Sequence, residues 1–153
     1  MIKQRKNLII KDKFVNHLIF NGKKNKSEKI ISQSIKILQT LSKKSSHKLI
    51  QLALIFNSPI FKLNTLTQKK RKKKKQRPRV IPTFVNSKTS RVSSAIKFIL
   101  RAAKKNQQHS FFKKLTEELL MSAQNKSNAL ETKNETQKQA LLNRHFFKYY
   151  RWH

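Results

Sequence analysis

Cysteine is absent from the 153 residues, glycine occurs once, proline three times, and only six residues are acidic. Without cysteine there is no disulfide, no thiol nucleophile and no cysteine-ligated zinc or iron–sulfur centre. One glycine, Gly22, cannot build a glycine-rich phosphate loop. Of the acidic side chains, Asp12, Glu28 and Glu135 read as helix-start residues and Glu131 as part of a turn, while Glu117 and Glu118 read as partners for Lys113 and Lys114. Paired acids for proton transfer are therefore not expected. The histidines (His17, His47, His109, His145, His153) lack metal-ligand spacing and read as satisfied or solvated imidazoles. No apolar run nears the roughly 18–20 residues that span a bilayer. The start, MIKQRKNLIIKDKF, has neither the apolar centre nor the cleavage site of a secretory signal, and it makes a poor transit peptide. These absences leave no catalytic residue, metal, cofactor, small-molecule substrate or membrane partner to expect.

What is present is positive charge. Lysine and arginine number 37 against six acids, a formal net charge of +31. Nine of the eleven residues from Lys69 to Arg79 are cationic, namely Lys69, Lys70, Arg71, Lys72, Lys73, Lys74, Lys75, Arg77 and Arg79. Setting that run aside still leaves +22, so the basic character belongs to the whole chain. Self-repulsion on this scale opposes compaction unless a partner screens it, which points to an obligate complex with a polyanion. Backbone phosphates fit, because each one neutralised releases condensed counterions. A solvated loop or a nuclear localisation signal is the plainer reading of such a run. Its place in mid-chain, between two stretches of helical pattern, favours an arm that reaches into nucleic acid. Lysine runs grip phosphate without reading sequence, so specificity needs a shaped surface where helices meet the base of the arm.

Hydrophobic periodicity predicts a mainly α fold: a single domain over 1–153, a bundle of five to six helices with a protruding, basic, β-hairpin-like arm at about 60–84. Residues 1–11 read as a basic, irregular segment. A short helix follows from Asp12 to Phe20, burying Phe14, Val15, Leu18 and Ile19, and Gly22 is its stop. A second helix covers Lys26–Leu41, opened by an Asn25/Glu28 capping box and striped by Ile31, Ile35, Leu38 and Leu41. The third, His47–Phe56, is apolar nearly all round and expected to be central. In the arm, Ile60, Phe61, Leu63, Val80 and Ile81 favour extended backbone, and repulsion at i,i+4 together with Pro78 disfavours a lysine helix. A fourth helix spans Ser90–Lys105 with Val92, Ile96, Ile99, Leu100 and Ala103 on one face. A fifth runs from Ser110 to Gln124 with Phe112, Leu115, Leu119 and Ala123 inward. The last begins at Thr132, in a capping box with Glu135, and carries Leu142, Phe146 and Tyr149. The aromatics Phe146, Phe147, Tyr149, Tyr150 and Trp152 are suited to stacking on bases, although Phe146 and Tyr149 taken singly read as core.

Lys, Ile, Asn and Phe contribute 65 of the 153 residues, whereas glycine and proline are depleted. Codons of the first group are AT-rich, which points to an AT-rich and, by hypothesis, organellar genome. A nuclear AT-rich genome gives the same bias.

Four strings carry a family resemblance. Lys13-Phe14-Val15-Asn16 followed by Asn21-Gly22-Lys23-Lys24 resembles the KFVN…DGKK signature of small-subunit ribosomal protein seven. RVSSAIKFILRAAKK (91–105) is similar to that family's RRNxAxRWIVEAARK segment, and Asn125-Lys126 with Ala129 resembles its ENKGxA turn. Asn143 with Phe147-Lys148-Tyr149-Tyr150-Arg151-Trp152 resembles its ANKAFAHYRW ending. The strings fall in family order from about Gln4 to Trp152. The resemblance implies a helical domain with a β-ribbon arm, binding the 3′ major (head) domain of small-subunit rRNA and supporting head assembly. It also implies neighbouring head and platform proteins, with exit-site tRNA and mRNA nearby. By position, the implied RNA-binding residues are Arg5, Lys6, Lys23, Lys24, the arm cations listed above, Arg91, Arg101, Lys104 and Arg151, with Trp152 structural or base-stacking. Family arms usually carry glycines and fewer cations at the tip, so KKRKKKK puts a regular hairpin in question. Bacterial members continue past the YRW string, so contacts of that extension are not carried over to a sequence ending at His153. Combined with composition, the expectation is a mitochondrial small-subunit protein, organelle-encoded, with plastid as the second choice. A histone-like architectural nucleic-acid-binding protein is the rival from another class. A membrane-surface peptide is disfavoured by several separate helices with aromatic cores.

Overall fold

A computed structural model describes residues 2–42, 45–66, 79–106 and 110–149. Among these are six α-helices and one two-stranded sheet: α1 (Ile2–Leu18), α2 (Lys24–Leu41), α3 (Ser46–Phe56), β1 (Phe61–Leu66), β2 (Arg79–Phe84), α4 (Lys88–Lys105), α5 (Phe111–Ala123) and α6 (Asn128–Leu142), then a 3-10 helix over Arg144–Tyr149. The mainly helical body with a hairpin is the architecture expected from the sequence.

Helices α4 and α5 lie at the centre. α5 packs on α2, α3, α4 and α6, and α4 also meets α1, α3 and α6. The burial of α4 follows its spacing: Ile96, Ile99 and Leu100 are large and buried, while Ala95, Ala102 and Ala103 are small and buried. The alanines let neighbouring helices approach closely, and the large side chains fill the gaps, as native packing density requires. Phe14 and Val15 of α1, Ile31 and Leu38 of α2, Leu49, Ile50, Ala53 and Leu54 of α3, and Leu115 and Leu119 of α5 complete this core.

Buried polar groups tie the helices together. Ser34 Oγ of α2 lies 2.9 Å from Ile30 O and 3.1 Å from Phe112 O of α5. In return Thr116 Oγ1 lies 2.8 Å from Phe112 O and 3.2 Å from Ser34 O. At the C-terminus of α3, buried Asn57 donates from Nδ2 to Ala53 O at 2.9 Å, and Lys133 Nζ of α6 donates to Phe56 O at 2.7 Å. A cation at a helix C-terminus answers carbonyls that have no partner within the helix. Burial alone holds the Lys133 ammonium below its ordinary pKa.

Several expectations give way. The N-terminal segment 1–11 is not irregular where it is described: α1 runs unbroken from Ile2, in keeping with the helix propensity of Lys, Gln, Arg and Leu. Asp12 therefore lies inside a helix. The capping box at Asn25 does not form, because α2 begins at Lys24 with Lys23 as its N-cap. Glu28 instead pairs with Lys24 one turn back, at 3.6 Å. The box at Thr132 is absent too. Thr132 Oγ1 bonds Asn128 O at 2.6 Å inside α6, which places Glu135 well within the helix and Glu131 in its first turn. Ile19, Leu41 and Leu142 are exposed rather than buried, and α3 exposes Leu52 and Ile55 along one side.

Helix ends follow local chemistry. After α1, Asn21 and Gly22 take positive φ (50° and 70°), the left-handed turn that glycine enters without strain. Past α5, Asn125 sits at φ 63° while Lys126 N–H donates to Met121 O (2.9 Å) and Asn125 N–H to Ser122 O (3.3 Å). That pair of bonds is a Schellman motif, with asparagine in the place glycine usually takes. Glu118 does not pair with Lys113 or Lys114. It is buried at 8% exposure and accepts from Ala129 N–H at 3.0 Å, beside Ser127 Oγ accepting from Leu130 N–H at 3.2 Å. Glu118 thereby serves a donor at the start of α6, and Ser127 Oγ shares the Leu130 N–H with Ser127 O (3.1 Å). Burial pushes the Glu118 carboxyl above its ordinary pKa; the Ala129 N–H works against that shift, and Glu131 adds to it.

Candidate nucleic-acid interface

The arm leaves the body directly after α3 and re-enters directly before α4. Its base is a regular antiparallel ladder, Phe61 opposite Phe84 through Leu66 opposite Arg79. A further bond from Val85 N–H to Ile60 O (2.9 Å) carries the pairing towards the body. Pro82 opposes Leu63, which is tolerated because a two-stranded ribbon has an unpaired side for a residue with no N–H. The solvent side is polar: Thr83 Oγ1 donates to Lys62 O (3.1 Å), and Asn64 Nδ2 donates to Thr83 Oγ1 (3.3 Å). Lys62 is exposed on the same ribbon.

Two further ties fix the base. Arg91, in the first turns of α4, donates from Nε to Val85 O at 2.8 Å. The rings of Phe61, Phe84 and Phe147 form a cluster: Phe61–Phe84 centroids are 4.7 Å apart, Phe84–Phe147 5.4 Å and nearly parallel at 13°, and Phe61–Phe147 5.7 Å. Phe147 belongs to the 3-10 helix, so the end of the chain packs onto the root of the arm.

On α4, Lys97, Arg101, Lys104 and Lys105 are exposed. Arg91 stands about 15 Å along the helix axis from Arg101. The positive charge continues across the junction with α1, where Lys97 and Lys13 both act on His17. Burial first, then those two cations, hold the His17 imidazole below its ordinary pKa. Lys23 and Lys24 are exposed at the turn into α2.

The structure thus brings Arg91 to the root of the arm and leaves Arg101, Lys104, Lys23 and Lys24 open to solvent. Arg5 and Lys6 fall within α1, and Arg79 opens β2. Lys69, Lys70, Arg71, Lys72, Lys73, Lys74, Lys75, Arg77, Arg151 and Trp152 lie outside the described residues. The sequence alone does not mark Lys13, His17 or Lys97 as interface residues. Their signals are helical spacing, with His17 four residues after Lys13 and Arg101 four after Lys97. No group of three or more acidic or histidine side chains suited to a metal occurs among the described residues. Nor, among them, is any helix long and apolar enough to cross a membrane.

The described residues form a helical body that carries a two-stranded ribbon beside exposed cations of α4 and the α1–α2 turn. The family model for ribosomal protein S7p/S5e matches residues 1–144, and the chain belongs to that family. It is similar to the small ribosomal subunit protein uS7 of Sulfurimonas denitrificans, 27% identical over 140 residues, covering 92% of this chain and 85% of that protein. The uS7 of Nitratiruptor sp. is 30% identical over 140 residues with the same coverages, 92% and 85%. The uS7 of Wigglesworthia glossinidia brevipalpis is 30% identical over 143 residues, 94% of this chain and 86% of that protein. The chain is accordingly a non-enzymatic, structural protein of the small ribosomal subunit.

Proposed function

We propose that the protein binds the 3′ major domain of small-subunit rRNA, supports assembly of the head, and lies near the path of exit-site tRNA and mRNA. The observation that carries this reading is the register of the arm. Six residue pairs flank the cation run in sequence, and Arg91 stands at the root of that ladder. Phosphates are gripped by the arm (Lys69 to Arg79) and by Arg5, Lys6, Lys23, Lys24, Arg101, Lys104 and Arg151. Shape selection falls to the rigid junction of ribbon and α4. Arg91 has a double part, holding Val85 O through Nε and contributing its positive charge at the root of the arm. Trp152 stacks on a base or on the protein. Neighbouring head and platform proteins cover other faces of the body. The residue bias toward Lys, Ile, Asn and Phe supports a mitochondrial, organelle-encoded origin, with plastid second.

Competition separates this function from histone-like DNA packaging. With labelled 3′ major domain rRNA bound, unlabelled rRNA fragment is expected to displace it at least tenfold more effectively than duplex DNA of equal phosphate content. Equal displacement by the two favours the architectural reading.

A further inference from the structure

An isolated two-stranded hairpin is marginal in water and needs packing from elsewhere to hold one conformation. Here the ladder is anchored by α6 packing on β1, by the burial of Ile81 and Val85, by the pairing of Phe61 with Phe84, by Arg91 on Val85 O, and by the ring of Phe147. Of the three rings, Phe147 is the one supplied from outside the ribbon, by the 3-10 helix that follows α6. It lies nearly parallel to Phe84 (13°, 5.4 Å) and tilted on Phe61 (40°, 5.7 Å), so it touches both strands at once. Offset and tilted aromatic pairs at these separations are attractive and directional. A small rotation at the root is magnified outward. Over the length of the described ladder, about 17 Å at strand rise, a 10° change moves the outer end by about 3 Å.

We infer that Phe147 is a positioning residue for the arm: the 3-10 helix acts as an aromatic clasp that sets the ribbon's direction before RNA arrives. The inference rests on the proposed role of the arm in RNA binding. A preset direction lowers the ordering cost of association, so the clasp contributes to affinity without touching RNA.

Two measurements on the full chain test it. In free protein, Phe147→Ala should speed amide exchange in β1 and β2 while α4 amides keep their protection, and Phe147→Trp should restore the slow exchange. Unchanged exchange in the hairpin overturns the clasp. For binding, Phe147→Ala is compared in two backgrounds, the native arm and one in which every Lys and Arg from Lys69 to Arg77 is replaced by Ser. The expected loss of affinity for the 3′ major domain fragment is about 3- to 10-fold in the native arm. It should be less than about twofold in the neutralised arm. An equal loss in both backgrounds means Phe147 acts through the body or its own RNA contact, and the inference fails. If neutralising the tip leaves affinity unchanged, the arm's proposed role fails first, a result distinguishable because the exchange measurement needs no RNA.

Discussion

The helical body and the arm are held by different physics. In the body, α4 buries an apolar face of alternating large and small side chains, and α5 buries Leu115 and Leu119 beside hydrogen-bonded Thr116 and Glu118. At the arm, a six-pair ladder is attached by the packing of α6 on β1, by buried Ile81 and Val85, by Arg91 and by three rings. The body is therefore held chiefly by burial, whereas the described part of the arm is a short ribbon held at its root.

The division can be broken first in the body. Ile96→Ala, at a position with no solvent exposure, should cost about 2–5 kcal/mol of stability and lower the thermal midpoint by many degrees. Denaturant titration checks it, and a loss under about 1 kcal/mol would mean that α4 is not central. A smaller effect sharpens the comparison at Glu118, where a charge does lie within the body. Its folded pKa is raised, so the native state binds more protons than the unfolded chain between the two values. Stability from this group is full below the ordinary carboxylate pKa and declines as pH rises through the folded value. Glu118→Gln should flatten that decline in a pH series of melting curves, while Glu118→Ala should cost about 1–3 kcal/mol by leaving Ala129 N–H unpaired. A wild-type series rising with pH across this window would contradict the assignment.

Helices with strong periodicity were legible from sequence. Val92, Ile96, Ile99 and Ala103 recur at helical spacing and fixed α4 to within two residues. The N-terminal helix was not, because a cation-rich stretch without an apolar stripe offers propensity alone. Both capping boxes misled for one reason: a Ser/Thr/Asn followed by Glu three residues on also occurs inside helices, and the true starts lie two residues and four residues earlier. Buried Ser34 and Thr116 were missed because their partners are carbonyls on another helix, which no local pattern encodes. For the interface, the charge run and the family strings exposed the arm. What remained hidden was its root: the sequence suggests Phe147 as a base-stacking ring, and only the fold shows it against Phe61 and Phe84. The pairing of Lys13 and His17 with Lys97 was likewise a matter of how α1 and α4 meet.

The most direct test compares rRNA binding by the full chain with that of a variant lacking Lys69–Arg79, across a salt series, with circular dichroism on both. If the protein neutralises about six to ten phosphates, affinity of the full chain should fall on the order of 10³–10⁵ between 50 and 200 mM salt. The shortened variant should bind more weakly, with a shallower salt slope and unchanged helicity. A flat salt dependence, or helicity lost along with the arm, would contradict the account.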